Sequence, residues 1–330
     1  MVTIKDIARL SGVSKSTVAR ILSNSGSYSN ESKEKVLKVA KELNYKPNTL
    51  ARAMITKKTN NIGFVLHSRI HPLISHPFFA SIVASAVGAA TRQGYSIMVF
   101  NDKDIQNSLE NIQQKKLDGI ILAGYVDKRI VQEFKANDIP VVLVNDLIDI
   151  KFETSYVIND DFDGCFQAIN YLLDLGHKTI GFIHGPKDSQ SYHARFLGYR
   201  EALKLRQIEY DGKYVVFQDV PNIEGGMNAA KQLITAEKPP TAIFAGNDMM
   251  AIGAIKEIKS QGLQVPGDMA IVGFDDIEFS SIYEPSLTTV RTDRKLMGEI
   301  AVQELIKQLD GSDEVNVIKL PTELIIREST

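Results

Sequence analysis

The chain has 330 residues, 44% of them hydrophobic and 24% charged, with a formal net charge of −2. That length is too great for one compact core, and the composition is ordinary for a globular protein. No apolar run reaches the roughly 18 residues that span a membrane, and the opening Met1-Val2-Thr3-Ile4-Lys5-Asp6 lacks the basic start and apolar stretch of a secretion signal. With one cysteine, Cys165, and so no possible intrachain disulfide, the sequence predicts a cytoplasmic protein. The small net charge conceals an asymmetry. Residues 1–60 carry twelve Lys/Arg against four Asp/Glu, a balance of +8, and the remainder carries 26 against 36. A balance of that size over so short a stretch is a footprint for a polyanion, although Lys33, Lys35, Lys38 and Lys41 taken alone would equally solvate a helix face.

In chain order, residues 1–45 read as three short helices. Thr3 and Asp6 fit a helix start, and Ile4, Ile7, Ala8 and Leu10 give it an apolar face. Ser11-Gly12-Val13 breaks it. Ser14 then caps a second helix, Lys15 to about Asn24, with Val18, Ile21 and Leu22 inward and Lys15, Ser16, Ala19 and Arg20 outward. After a loop from Ser25 to Asn30, Val36, Leu37, Ala40 and Leu43 carry a third helix that ends near Asn44. Two short helices joined by a tight turn form a helix-turn-helix, whose second helix enters the DNA major groove. Lys or Arg on its outer side can donate to guanine O6 and N7, and Ser can contact base or phosphate. Pro47-Asn48 opens a segment, Thr49 to Ile55, too short to stand as a helix alone. It reads as a linker that becomes helical only with a partner.

From Asn61 onward apolar strands alternate with helices. The strands are Ile62–Leu66, Ser96–Phe100, Gly119–Leu122, Val141–Val144, Tyr156–Ile158, Thr179–Ile183, Tyr214–Phe217, Ala242–Ala245 and Ala270–Phe274, with Phe78–Gln93, Phe162–Leu175, Ala194–Leu205, Met227–Thr235 and Met249–Gln261 as helices between them. Such alternation predicts parallel sheets covered on both faces, and nine or more strands predict two of them. There is no Gly-x-Gly-x-x-Gly turn, Walker loop or Gly-x-Ser-x-Gly elbow, so neither an enzyme nor a cofactor is expected. His67, His71 and His76 have no Cys or carboxylate cluster beside them, and no metal is expected. A transport-type sugar-binding protein would account for residues 61–330 but not for the basic segment before them.

The ordered motifs narrow the reading. Thr3-Ile4-Lys5-Asp6-Ile7-Ala8, Gly12-Val13-Ser14, Ser16-Thr17-Val18-Ala19-Arg20 and Leu43-Asn44-Tyr45-Lys46-Pro47-Asn48 are followed by Asn61-Ile62-Gly63, Pro77-Phe78-Phe79, Asp118-Gly119-Ile120-Ile121 and Gly176-His177. Arg195 with Gly198-Tyr199, Asn247-Asp248, Ala251-Ile252-Gly253, Gly273-Phe274-Asp275-Asp276, and Pro285 with Leu287-Thr288-Thr289 complete the set. In this order they resemble the lactose-repressor/galactose-repressor family of transcription regulators over essentially the whole chain.

The resemblance implies an α/β fold class: a small all-α helix-turn-helix headpiece plus a two-lobed, periplasmic-binding-protein-like sensor of parallel sheets covered by helices. It implies a headpiece at 1–46, a hinge helix and linker at 47–60, and an effector-binding and dimerisation domain at 61–330. The lobes of that domain would be roughly 61–160 with 291–320, and 161–290 with 321–330, with strand pieces near Asn316–Lys319 and Leu324–Ile326 returning to them. It further implies a homodimer on a near-palindromic, double-stranded operator. Thr3, Lys15, Ser16, Thr17 and Arg20 would contact DNA from the headpiece, and Asn48, Ala51 and Met54 from the hinge. Met54 stands where the family usually has Leu, and Met is also an accepted wedge between base steps; Ala19 replaces a common Ser.

In the sensor, Arg195, Asn247 and Asp275 match effector-contacting positions, and Phe79 could stack on a sugar face. The chemistry suits a polyol, since Arg and Asn donate to hydroxyls and a carboxylate accepts from two of them. Duller roles are a surface charge for Arg195, a turn for Asn247 and a helix cap for Asp275. Between Gly63 and Pro77 the chain has about five residues more than is common in the family, as do members that control α-glucosides. The expectation is a repressor of carbohydrate-use genes released by a sugar, an α-glucoside being the narrower form; the alternative is control by a corepressor or a phosphorylated carrier protein.

Overall fold

Residues 2–22 and 26–45 build three helices, α1 (Ile4–Ser11), α2 (Lys15–Leu22) and α3 (Asn30–Glu42). Ile7, Val18, Ile21, Val36 and Ala40 form their buried centre, with Ile4, Ala8, Val13, Tyr28, Val39 and Leu43 packed around it. Leu10 and Leu37, expected inward, are exposed. At about 100° per residue, Leu37 points away from the Val36–Ala40 stripe, and Leu10 falls beyond the edge of the stripe centred between Ile7 and Ala8. Gly12, left-handed at φ 69°, ends α1, a conformation that costs glycine nothing.

The computed structural model describes residues 2–22, 26–45, 58–66, 76–101, 117–124, 128–145 and 154–330, and divides the chain into two units, Met1–Asn60 and Asn61–Thr330. The second unit runs β1 (Asn61–Leu66), α4 (Pro77–Arg92), β2 (Ser96–Asn101), β3 (Gly119–Ala123), α5 (Lys128–Ala136), β4 (Val141–Val144), β5 (Ser155–Asn159) and α6 (Asp161–Asp174). It continues with β6 (Ile180–His184), α7 (Gln190–Leu205), β7 (Val215–Phe217), α8 (Ile223–Ile234), β8 (Ala242–Ala245), α9 (Asp248–Ser260), β9 (Ala270–Asp275) and α10 (Glu278–Ile282). It closes with β10 (Thr288–Thr292), α11 (Arg294–Leu309), β11 (Val317–Leu320) and β12 (Thr322–Ile325).

The strands form two six-stranded sheets, ordered β11-β5-β4-β3-β1-β2 and β12-β10-β9-β8-β6-β7. Every pairing is parallel except β10 with β12. The fold is therefore α/β, with a small helical unit ahead of two helix-covered parallel sheets. Central strands β3, β4, β6, β8 and β9 are buried along their whole length, as parallel strands covered on both faces must be. The edge strands β2, β7, β11 and β12 are only partly covered.

The chain passes between the sheets three times, at Asn159–Asp161, Thr292–Arg294 and Leu320–Thr322. One apolar cluster joins the two lobes: Phe64, Phe78, Phe79 and Ile82 of the first pack with Ile252 and Ile277 of the second. Helices α8 and α9 cross closely, and the crossing needs glycine. A Cβ on Gly253 would strike the Ile223 carbonyl oxygen, and one on Gly226 would strike the Met250 backbone.

Candidate functional site

In the headpiece the N-terminus of α1 is fixed by Asp6, whose carboxylate accepts from the Thr3 N–H at 2.9 Å and the Thr3 hydroxyl at 2.7 Å. These bonds hold the Asp6 pKa below its ordinary value, the Thr3 hydroxyl contributing most. Thr3 is thus exposed at the tip of a capped helix. On α2, Ser14 accepts from the Thr17 N–H at 3.2 Å and contacts the Ser16 and Thr17 hydroxyls at 3.0 and 2.9 Å. Val18 and Ile21 face inward, so Lys15, Ser16 and Arg20 are left exposed and Thr17 half-buried. Arg20 lies along its own helix, donating to the Thr17 hydroxyl at 3.2 Å, the Ser16 carbonyl at 3.4 Å and the Ser27 carbonyl at 3.5 Å. All three are at or beyond the long end of the hydrogen-bond range. Asn48, Ala51 and Met54 of the hinge lie outside the described residues, as do His67 and His71.

In the second unit the carboxyl ends of the strands, where doubly wound sheets bind ligands, carry a buried ionic group. Arg195 of α7 is 3% exposed. Its Nε and Nη2 both reach Asp161 Oδ1 at 2.8 Å, its Nη1 donates to the Gly246 carbonyl, and its Nη2 stands 3.8 Å from Asp275 Oδ1. The guanidinium also lies 3.7 Å over the Phe274 ring and 5.1 Å from that of Tyr192. Burial works against this charge, but Asp161 and Asp275 outweigh it and the pKa of Arg195 rises. Arginine stays protonated in any case, while burial raises the pKa of Asp161 against the lowering pull of Arg195.

Asp275 ends β9 with φ 116°, and Asp276 follows at φ 51°. Two successive residues in the left-handed half of backbone space are strained, a condition that clusters at ligand sites. No described donor bonds the Asp275 carboxylate, and burial pushes its pKa well above the usual carboxylate range. Asp276 instead holds three arginines: its carboxylate accepts from Arg291 at 2.8 Å and Arg327 at 2.6 Å, and its carbonyl from Arg294 at 2.6 Å.

Asn247 caps α9, its Oδ1 accepting from the Met250 N–H at 2.8 Å and its Nδ2 donating to the Pro221 carbonyl and the Tyr192 hydroxyl at 2.9 and 3.1 Å. Its amide is committed to protein, so its standing role is to brace Tyr192 against Arg195. Phe79, in the first turn of α4, is in edge contact with Phe78 at 4.9 Å and lies 5.4 Å from the His76 ring, within the cluster that joins the lobes.

Sequence reasoning missed Asp161, Tyr192 and Ser191; the last donates to the Asn145 carbonyl of the first lobe. It also missed Asp248, which accepts from the Ile277 N–H at 2.9 Å and the Ser280 and Thr289 hydroxyls at 2.7 and 2.5 Å. The acidic pair Asp160-Asp161 was visible, but beside a helix start it reads as capping. No group of three or more His, Cys, Asp or Glu that could hold a metal occurs among the described residues, and no described helix is long and apolar enough to cross a membrane.

Residues 3–48 match the bacterial regulatory proteins, lacI family, and residues 169–330 match the periplasmic binding protein-like domain. Over 339 residues the chain is 32% identical to the HTH-type transcriptional repressor PurR of Haemophilus influenzae (strain PittEE), with 100% of this chain and 98% of that one covered. This chain belongs to the lacI family. It is also 34% identical over 338 residues to the NTD biosynthesis operon regulator NtdR of Bacillus subtilis (strain 168), all of both chains being covered.

Among solved structures, the lac repressor dimer bound to operator and the anti-inducer ONPF superposes with a TM-score of 0.83 at 29% identity, over 100% of this chain and 99% of that one. The complex of the transcriptional regulator CelR with cellobiose gives 0.78 at 29% identity, with both chains fully covered. As a member of this family the chain is a DNA-binding, ligand-controlled transcriptional repressor rather than an enzyme.

Proposed function

We propose that this chain represses carbohydrate-use genes as a homodimer on a near-palindromic operator and is released when a sugar closes the cleft between its lobes. The observation that carries the reading is the Asp275 carboxylate: buried, 3.8 Å from Arg195, and with no described donor bonded to it. A carboxyl group at the carboxyl end of β9 to which no described donor is bonded leaves acceptor capacity for adjacent sugar hydroxyls. The cellobiose bound by CelR is consistent with such a ligand. The narrower α-glucoside expectation rests on the stretch from His67 to His76, most of which lies outside the described residues.

On the DNA side, Lys15, Ser16 and Arg20 read bases, Thr3 and Thr17 contact phosphate, and Asn48, Ala51 and Met54 act in the minor groove as a hinge. The dimer doubles a half-site too small for specificity alone. Cleft closure displaces the hinge segment, and operator affinity falls. A coupling of about 1–3 kcal/mol changes that affinity roughly 5- to 150-fold, provided the sugar binds the two states unequally.

The test is an operator titration of wild type and Asp275→Ala, with and without each sugar that raises the melting temperature of wild type. Asp275→Ala is expected to bind operator normally and to ignore the sugar. An unchanged sugar response in the variant removes Asp275 from the site, and tighter operator binding with sugar makes the ligand a corepressor.

A further inference from the structure

Asp275 and Asp276 stand at φ 116° and 51°, a region that residues other than glycine rarely occupy. The Asp275 side chain does not hold this backbone, since no described donor bonds its carboxylate. The conformation is held one residue further on. The pair turns the chain after β9, bringing the Asp276 N–H to the Thr289 hydroxyl at 3.4 Å and the Ile277 N–H to Asp248 at 2.9 Å. Asp276 is then gripped by three arginines from separate parts of the chain. Arg291 of β10 and Arg327 near the C-terminus bond its carboxylate, and Arg294 of α11 bonds its carbonyl.

Arg327 differs from the other two. The Arg291 side chain is 48% exposed and shares its guanidinium with Glu323, so water competes for the contact. Arg294 reaches the carbonyl and not the carboxylate. The Arg327 side chain is 16% exposed, with Nη2 on Asp276 Oδ1 at 2.6 Å and Nη1 on the Leu287 carbonyl at 2.7 Å. A planar guanidinium with both arms on fixed acceptors has little freedom to swing. Its main chain is fixed as well. The Arg327 N–H donates to the Thr288 hydroxyl at 2.9 Å. Two residues on, the fully buried Ser329 hydroxyl accepts from the Thr288 N–H at 2.8 Å and donates to the Ile271 carbonyl at 2.6 Å. The end of the chain is thereby stitched to β9, the strand that ends in Asp275, and to β10 beside it. Chain termini are commonly loose unless tied down, and here the tie carries an arginine to the residue after Asp275.

Resting on the reading of Asp275 as a sugar contact, we propose that Arg327 is a positioning residue for the effector site: it holds Asp276 in the left-handed region and so fixes the direction of the Asp275 carboxyl group. Arg327 itself touches no ligand. It keeps the turn after β9 in place before the sugar arrives, so that binding does not have to supply the ordering. Without it, the Asp276 carboxylate has only the half-exposed Arg291, and the backbone of both residues relaxes toward the commoner regions. The Asp275 carboxyl group is then correctly aimed in only a fraction of molecules, and sugar affinity falls by that fraction.

The experiment is a double-mutant cycle on the full chain. Isothermal titration with maltose, cellobiose, D-glucose and D-galactose measures wild type, Arg327→Met, Asp276→Gly and the two substitutions together. Glycine removes the carboxylate that Arg327 grips and adopts a positive φ without strain. The expected result is that a sugar which binds wild type binds Arg327→Met about tenfold more weakly, as if about a tenth of the molecules kept the productive turn. In the Asp276→Gly background the same change is expected to alter Kd no further. Should Arg327→Met fail to fold, Arg327→Lys takes its place in the cycle, since it keeps the charge but reaches only one of the two acceptors. A fall in melting temperature with an unchanged Kd makes Arg327 structural only and overturns the assignment. An equal loss of affinity in both backgrounds means that Arg327 does not act through Asp276, and overturns it as well. A sugar that binds wild type and every variant equally overturns the role of Arg327 and leaves the carbohydrate reading intact. If no sugar of the panel binds wild type, the carbohydrate reading fails and this inference fails with it.

Discussion

Arg20 and Arg195 lie in opposite environments. Arg20 is exposed on α2 and rests on three long, local bonds to its own helix and the segment after it. Arg195 is 3% exposed, fixed by short bonds to Asp161 and Gly246 and stacked 3.7 Å over Phe274. The headpiece keeps its charges in water, where holding them ready for a polyanion costs little. The sensor has taken its charges out of water and compensated them in advance. Function and stability are therefore separable in the first unit and bound together in the second.

The largest expected effect tests that coupling. Arg195→Met leaves Asp161 and Asp275 buried without their counter-charge, and breaking such a group typically costs about 3–5 kcal/mol. Denaturant unfolding of the variant should show that loss in the transition of residues 61–330; a loss under about 1 kcal/mol would mean that the cleft is not electrostatically committed.

Next in size are the pH responses of two carboxylates, one in each unit, which have opposite sign. Burial raises the Asp248 pKa to about 6 from the ordinary 3.8, against the lowering effect of its three hydrogen bonds. Its folded-state pKa lies above the unfolded one, so its stabilisation is fully present below the unfolded value and is lost as pH rises through about 6. Asp248 should contribute on the order of 1–3 kcal/mol of added stability between pH 7 and pH 5, while His76, His177 and His184, whose pKa values burial lowers, act in the opposite sense, so the contribution is read as the difference between wild type and Asp248→Asn. Asp6 has the reverse sign. Its lowered pKa stabilises above the unfolded value, and that support is lost as pH falls further. Calorimetry resolving the two transitions would show wild type gaining on Asp248→Asn in the sensor as pH falls from 7 to 5; a pH-independent difference would erase the contrast with Asp6.

The smallest effect is the sharpest for the headpiece: Arg20→Ala should change the melting free energy by no more than about 0.5 kcal/mol while costing about 1–3 kcal/mol of discrimination between operator variants. A clear loss of stability would make Arg20 part of the headpiece scaffold.

What the sequence made legible follows the same division. The inward positions of α2 and the doubly buried strands β3, β4, β8 and β9 are written in apolar spacing, and their elements match it closely. β10 was not readable from patterning, because Thr288-Thr289-Val290-Arg291-Thr292 is mostly polar. Its threonine hydroxyls are buried with partners distant in sequence: Thr288 donates to the Arg327 carbonyl, Thr289 to Asp248 and Thr292 to the Asp275 carbonyl. Motif order brought Arg195 and Asp275 to one edge, and the structure places them 3.8 Å apart. Asp161 and Arg294 were not foreseen. An acid at a helix start and an arginine in a first turn look like ordinary surface residues until the fold buries one and leaves a single nitrogen of the other, Nη1, without a partner.

The three passages between the sheets also set the order in which a chain leaving the ribosome can complete itself. Asp161–Thr292 is one uninterrupted stretch and contains β6 to β10, five of the six strands of the second sheet. The first sheet begins a hundred residues earlier in synthesis, yet its covering helix α11, with Met297, Ala301, Val302 and Leu305 in its core, and its outer strand β11 emerge only near the end. Domains tend to fold in order of synthesis; the first sheet has five of its six strands by Asn159 and the second has five of its six by Thr292, but only the first must also wait for a covering helix made after the other lobe. The earlier one must wait with apolar surface uncovered, and a chain stopped short of about residue 300 would expose the lobe that was started first.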